Sequence, residues 1–209
     1  ESFITFPFFL TDSSFKRFID SIKIFLGNIF SLKGFGFAKS IGVNKIFTPK
    51  IKKNHMSKAL DFLEKFQNKK NSRERIINLK INNIHVGDII YDSYLKFYKE
   101  PTIEVLDPKF IKFLKNFITL YFYWEDYFKK NNVKTVMILH DTYLTGIPAR
   151  IAISKKIKTI VPTVAKIYQL NKKIPYAMKE FLFYRSKFNK LTKTFQKKAL
   201  KRSQKELDG

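Results

Sequence analysis

The apolar positions of this chain fall into helical and strand rhythms that can be read in order. Residues 3–10, FITFPFFL, suit a short buried strand, with Pro7 marking an edge or a bulge. Phe15, Phe18, Ile19, Ile22, Phe25 and Leu26 then recur at helical spacing, which predicts a helix up to Gly27. Gly34, Gly36 and Gly42 predict a loop, followed by a short strand at 43–47. Gly34-Phe35-Gly36 lacks the third glycine and the strand–turn–helix setting of a phosphate loop, and reads as an ordinary turn. Ala59, Leu60, Leu63 and Phe66 mark one side of a helix over 57–67, and the polar run 68–74 reads as exposed loop.

The middle of the chain is the most strongly patterned. Partial alternation at 76–81 leads into an Asn82-Asn83 turn and then IHVGDIIYDSYL, residues 84–95. Gly87-Asp88 reads as a helix start, the glycine permitting an unusual turn and Asp88 capping the free amides. Asp107-Pro108 pairs a capping carboxylate with proline at the first helical position. The helix it opens, over 109–130, carries Phe110, Phe113, Phe117, Tyr121, Trp124 and Phe128 as a broad aromatic stripe. Such a stripe packs a helix against a sheet far more often than it stacks nucleic-acid bases.

Val133–Leu139 is the clearest strand, expected to be central or near-central and parallel to a neighbour at 158–161. It stops at His140-Asp141, with a turn at 142–146 and a helix at 147–154 whose first turn holds Pro148. Residues 162–175 look irregular. From about 176 to 207 one long helix is expected, with Phe181, Tyr184, Phe188, Leu191 and Phe195 on one side and Lys187, Lys190, Lys193, Lys197, Lys198, Lys201 and Arg202 on the others. A basic amphipathic helix of this kind suits a membrane surface, an acidic partner or docking across the body.

Bulk composition narrows the class. The chain has 209 residues, enough to bury a sizeable core, and at 44% hydrophobic and 16% aromatic it is no disordered basic tail. The net charge of +24 attracts nucleic acid, anionic lipid or an acidic substrate without distinguishing them. No RNA-recognition, zinc-finger, helix-turn-helix or KH signature accompanies it, so nucleic acid is an unlikely partner. Without cysteine, disulfides and thiolate metal sites are excluded. Uncharged runs fall short of the ~20 residues that span a bilayer. Because residue 1 is Glu, a segment of a longer product is expected.

Candidate chemistry gathers in two places. Asp88, Tyr91 and Asp92 share one helical face, with Tyr94 close by. Asp88 and Asp92 could work as a carboxylate pair, or Asp88 could simply cap; no metal site is expected. His140 ends the best strand, where open sheets present ligands, with Tyr143 beyond it and Gly146 leaving room for close approach. It could be a base near neutral pH, a ligand for a hydroxyl, or a structural histidine. Arg150, early in the following helix, is a plausible anion clamp. His55, in KKNHMSK, reads as solvated surface. Serine nucleophile elbows, P-loops and zinc-protease motifs do not occur.

The string INLKINNIHVGDIIYDSYLKFYKEPTIEVLD, followed later by VKTVMILHDTYLTGIPARIAISKKIKTIV, resembles surface and capsular polysaccharide glycosyltransferase-like proteins, bacterial enzymes of the GT-B kind. That family's G-D-[IL]-I-Y-D-[ST]-Y-[LI] block falls on Gly87–Leu95 and its Pro-Thr segment on Pro101–Ile103. Its strand-end histidine block falls on His140, Tyr143, Gly146, Arg150 and Ala152. The resemblance spans about residues 40–209.

It implies a Rossmann-like α/β domain with a mostly parallel sheet over 1–175, the acceptor-side half of a GT-B enzyme. Residues 176–209 would then be a basic helix leading toward a second domain. Expected partners are a saccharide or lipid-linked acceptor, that second domain and an anionic membrane surface. No cofactor is implied, because the nucleotide-sugar donor is a substrate bound mainly by the second domain. On this reading His140, Asp88 and Asp92 are the catalytic candidates. Tyr91, Tyr94, Tyr143, Gly146 and Arg150 are the substrate-binding ones, and the expected place is the cytoplasm, peripheral on the inner face of the bacterial plasma membrane. The alternatives are a nucleic-acid-binding protein or a non-catalytic docking module.

Overall fold

A computed structural model describes residues 49–67, 72–163, 166–177 and 184–208 continuously, with scattered positions before residue 49. Two short strands at the start, β1 (Phe3–Thr5) and β2 (Lys45–Phe47), pair in parallel. Between them, described positions within 19–30 are helical, and Ile29 and Phe30, beyond the Gly27 expected to end the helix, are helical as well. Gly36, Lys39 and Ser40 are helical too, where a loop was expected, and Gly42 ends that turn at φ +86°. Pro7, Phe15, Phe18 and Gly34 lie outside the described residues.

The body is built from four helices: α1 (Lys53–Gln67), α3 (Gly87–Tyr98), α4 (Pro108–Lys130) and α5 (Gly146–Ser154). A short α2 (Arg73–Ile77) stands where the end of the polar run was expected to be loop, and Ser72 caps it by accepting from the Arg75 amide. The hairpin β3 (Lys80–Ile81) and β4 (Ile84–His85) turns at Asn82-Asn83, both at positive φ of 49° and 63°. Asparagine tolerates that left-handed geometry, and two such residues suit a tight hairpin turn.

Helix α4 organises the core. Asp107 caps it by accepting from the Lys109 amide at 2.8 Å, and Pro108 occupies its first turn. Phe110, Phe113, Leu114, Phe117, Ile118 and Tyr121 are essentially inaccessible. The stripe faces α1 and α5 rather than the sheet, so the expected helix-on-sheet packing is replaced mainly by helix on helix. The Tyr121 hydroxyl donates to the Ile81 carbonyl at 3.0 Å and ties α4 to the hairpin.

The third sheet has three strands in the order β5 (Thr135–Met137), β6 (Lys158–Pro162), β7 (Ile167–Leu170). β5 and β6 run parallel and are joined through α5, as expected; β6 and β7 are antiparallel, where irregular chain was expected. Among the described residues β5 is therefore an edge strand, not a central one. Its burial agrees: Met137 is 61% exposed and Leu139 74%, while Ile138 is buried against Ala149 and Ile153. A strand covered on one face needs apolar residues on that face only, and the continuous run VMIL overstated its burial. The fold is thus mixed α/β, rich in helix, with a small mixed sheet.

The basic tail is not one helix. It comprises α6 (Tyr184–Asn189) and α7 (Lys193–Asp208), separated at 190–192, and Phe181 lies outside the described residues. Tyr176 and Ala177, expected to open it, are not helical. Among the described residues no helix is long and apolar enough to cross a membrane.

Candidate active site at the junction of two motifs

Gly87 opens α3, but not for its φ. A Cβ there would stand 2.1 Å from the Ile76 carbonyl oxygen and 2.2 Å from that of Ile77, so a glycine is what lets α3 start directly against α2. Val86 takes the cap position, and Asp88 does not cap. Its carboxylate is drawn away by a stronger partner, because a guanidinium outcompetes a neutral amide for a charged acceptor.

That partner is Arg150. Its Nη2 donates to Asp88 Oδ2 at 2.7 Å, and its Nη1 donates to the His85 carbonyl at 3.3 Å. The arginine side chain is only 7% exposed and the aspartate 21%. The guanidinium carbon lies 4.5 Å from the centre of the Tyr176 ring, and the Tyr176 hydroxyl donates to the same Asp88 oxygen. Burial, then this bond to Asp88, holds the Tyr176 phenol above its ordinary pKa. Next to it, the Ala177 amide donates to Asp141 Oδ2. Segment 171–177 is thereby strapped across both motif blocks. Arg150 was expected to clamp an external anion; the anion it holds is the chain's own.

His85 adds directionality. Its Nε2 lies 2.8 Å from the Ile77 carbonyl, which can only accept, so Nε2 carries the proton. Its Nδ1 lies 3.3 Å from Asp88 Oδ1, an oxygen with no hydrogen bond of its own. A second proton on the ring would complete that pair. Asp92, one turn on from Asp88, is exposed at the surface; partial desolvation, then the charge of Asp88, raises its pKa.

The remaining candidates separate into two groups. Tyr91 is half-buried and Tyr94 is 1% exposed, packed edge-on against Phe110 and Phe113 with its hydroxyl 3.4 Å from Asp107. Burial, then Asp107, pushes the Tyr94 phenol up to about 12. Tyr94 therefore lies in the core rather than in a cleft. Gly146 meets the chain itself: a Cβ would lie 2.5 Å from the Asp141 carbonyl oxygen and 2.9 Å from Ile89 Cδ1. This glycine lets the 140–146 turn close onto α3. Tyr143 holds a left-handed φ of 53°, with Lys96 Nζ 4.1 Å from its ring centre. Such a conformation is uncommon for an aromatic residue.

β5 ends at Met137, short of the expected Leu139, and His140 lies three residues beyond it, exposed, its carbonyl accepting from Thr145 Oγ1 at 2.9 Å. Among the described residues its ring has no hydrogen-bond or ionic partner. The structure thus joins Asp88 to Arg150 directly and leaves the imidazole free, outside that network. No group of three or more acidic, histidine or cysteine side chains placed to hold a metal occurs among the described residues.

Sequence reasoning missed two residues. Tyr176 carried no signal, since its role depends on where an irregular segment happens to fold back. His55 did: it precedes Ala59, Leu63 and Phe66 at four, four and three, on the buried stripe of α1. It is not solvated surface but 1% exposed. Its Nδ1 accepts from the Lys52 amide at 3.1 Å and its Nε2 faces Asp126 Oδ2 at 3.4 Å.

In comparisons with known proteins the chain matches no family model, no curated protein and no solved structure.

Proposed function

We propose that this chain is the acceptor-side half of a GT-B glycosyltransferase that assembles surface polysaccharide. The observation that carries the reading is the meeting of its two motif blocks. Asp88 in the 87–95 block and Arg150 in the 140–152 block, 62 positions apart, form a largely buried ion pair. The contact is what the proposal expects of two blocks that build one site. The parallel β5–α5–β6 unit, with its turn at the strand's carboxyl end, is compatible with a Rossmann-like half.

On this proposal His140 is the base. An acceptor hydroxyl attacks the anomeric carbon of the donor sugar and gives its proton to the imidazole. The bond from that carbon to the nucleoside diphosphate breaks, and the diphosphate leaves with the electron pair. A neutral imidazole accepts such a proton at pH 7, as a lysine does not unless its pKa is strongly lowered. Asp88 and Asp92 orient the acceptor, and Arg150 is a positioning residue that fixes Asp88. No cofactor enters; the donor is held mainly by the second domain, and the work takes place at the cytoplasmic side of the membrane.

The test is transfer itself. The gene product carrying this chain, incubated with radiolabelled nucleotide sugars and lipid-linked saccharide acceptors, should move label to the acceptor. Failure with every donor, by a folded product, would overturn the proposal.

A further inference from the structure

Helix α7 leaves no residue buried, although its sequence is amphipathic. Lys193, Lys197, Lys198, Lys201, Arg202 and Lys205 occupy one half of its circumference at helical spacing. The other half carries Phe195, 62% exposed, Leu200, 59%, and Leu207, 81%, with Ala199, Gln196, Ser203 and Glu206 among them. Acidic residues enter only at Glu206 and Asp208, at the end of the helix.

We propose that α7 lies on an anionic phospholipid surface, its apolar half sunk among the headgroups and its lysines reaching the lipid phosphates. Charge complementarity selects this partner. A nucleic acid would satisfy the cations yet leave Phe195, Leu200 and Leu207 in water. A protein cover would find no continuous apolar face here, because Gln196, Ser203 and Glu206 stand between the three large apolar side chains. At a bilayer interface the long lysine stems let the charge stay at headgroup level while the opposite face is covered. Each lysine near such a surface raises partitioning about fivefold. The inference does not depend on the glycosyltransferase reading.

The experiment uses the whole gene product and vesicles of phosphatidylcholine with or without 30% phosphatidylglycerol. Trp124 is the only tryptophan of these 209 residues and is buried, so the emission of a Phe195→Trp variant, taken as the difference from the parent protein, reports on α7. With phosphatidylglycerol present, its emission should shift to the blue and become shielded from acrylamide; with phosphatidylcholine alone, neither should happen. The triple variant Lys197→Glu, Lys198→Glu, Lys201→Glu should bind at least about 100-fold more weakly, at unchanged melting temperature. Three results would overturn the proposal. One is no binding to the anionic vesicles. Another is co-sedimentation with an unresponsive reporter, which places the contact elsewhere on this basic chain. The third is an equal shift on adding an RNA oligonucleotide, which would assign α7 to nucleic acid. Loss of sugar transfer with vesicle binding intact would sink only the enzymatic proposal.

Discussion

Helices α4 and α7 both carry aromatic or aliphatic residues among lysines, yet α4 buries twelve of its 23 residues and α7 none of its 16. The difference lies in the breadth of the apolar face. In α4, Phe110, Phe113, Phe117, Tyr121 and Trp124 are joined by Leu114, Ile118 and Phe122, so three sides can be covered by α1, α3 and α5. In α7, Phe195, Leu200 and Leu207 are too widely spaced, with polar residues between them, to form one continuous face. Periodicity announces a helix; the width of its stripe decides whether the protein's own core can cover it.

The contrast is open to direct attack. Phe117→Ala empties a fully enclosed site and should cost about 3–5 kcal/mol in urea denaturation. Phe195→Ala should stay within about 0.5 kcal/mol. A loss above ~1 kcal/mol at Phe195 would show that α7 is covered after all.

Covered and uncovered polar groups should divide the same way. Arg150→Met leaves Asp88 without its main counter-charge and should cost about 2–4 kcal/mol, the lower part of the range for a broken buried pair because Asp88 keeps some water. Adding Asp88→Ala to that variant should recover part of the loss, and a double-mutant cycle measures the coupling. His55→Ala should cost about 1–3 kcal/mol by leaving the Lys52 amide and Asp126 without their shared partner.

The smallest effect belongs to Asp92, whose pKa is raised by desolvation and then by Asp88. A raised carboxyl pKa means the native state holds the proton more tightly than the unfolded chain. Its penalty is therefore absent below about pH 4 and grows as pH rises through the folded value. Asp92→Asn should stabilise by a few tenths of a kcal/mol at pH 7 and by nothing at pH 3. Chemical denaturation at both pH values checks the sign.

Much of the fold was legible where one residue's chemistry dictates local geometry. Asp107-Pro108 and Asn82-Asn83 act within a turn of themselves, and both stand as expected. What could not be read depends on distant neighbours. The glycines at 87 and 146 look like turn glycines, yet they answer to the Ile76, Ile77 and Asp141 carbonyls pressed against them. The Asp88 cap was a sound local inference lost to an arginine 62 positions away. β7 was missed because IYQL gives only four residues of weak alternation, and its partner β6 supplies the rest. The two blocks of the candidate site were identifiable; the strap through Tyr176 that now holds them was not.

The central claim is that an exposed imidazole just beyond β5 receives the acceptor's proton. His140→Ala in the gene product, measured as the turnover number for sugar transfer alongside the melting temperature, tests it most directly. The account predicts a fall of roughly 10²-fold or more at an unchanged melting temperature, since His140 fills no core volume. Near-normal transfer by the folded variant would contradict it.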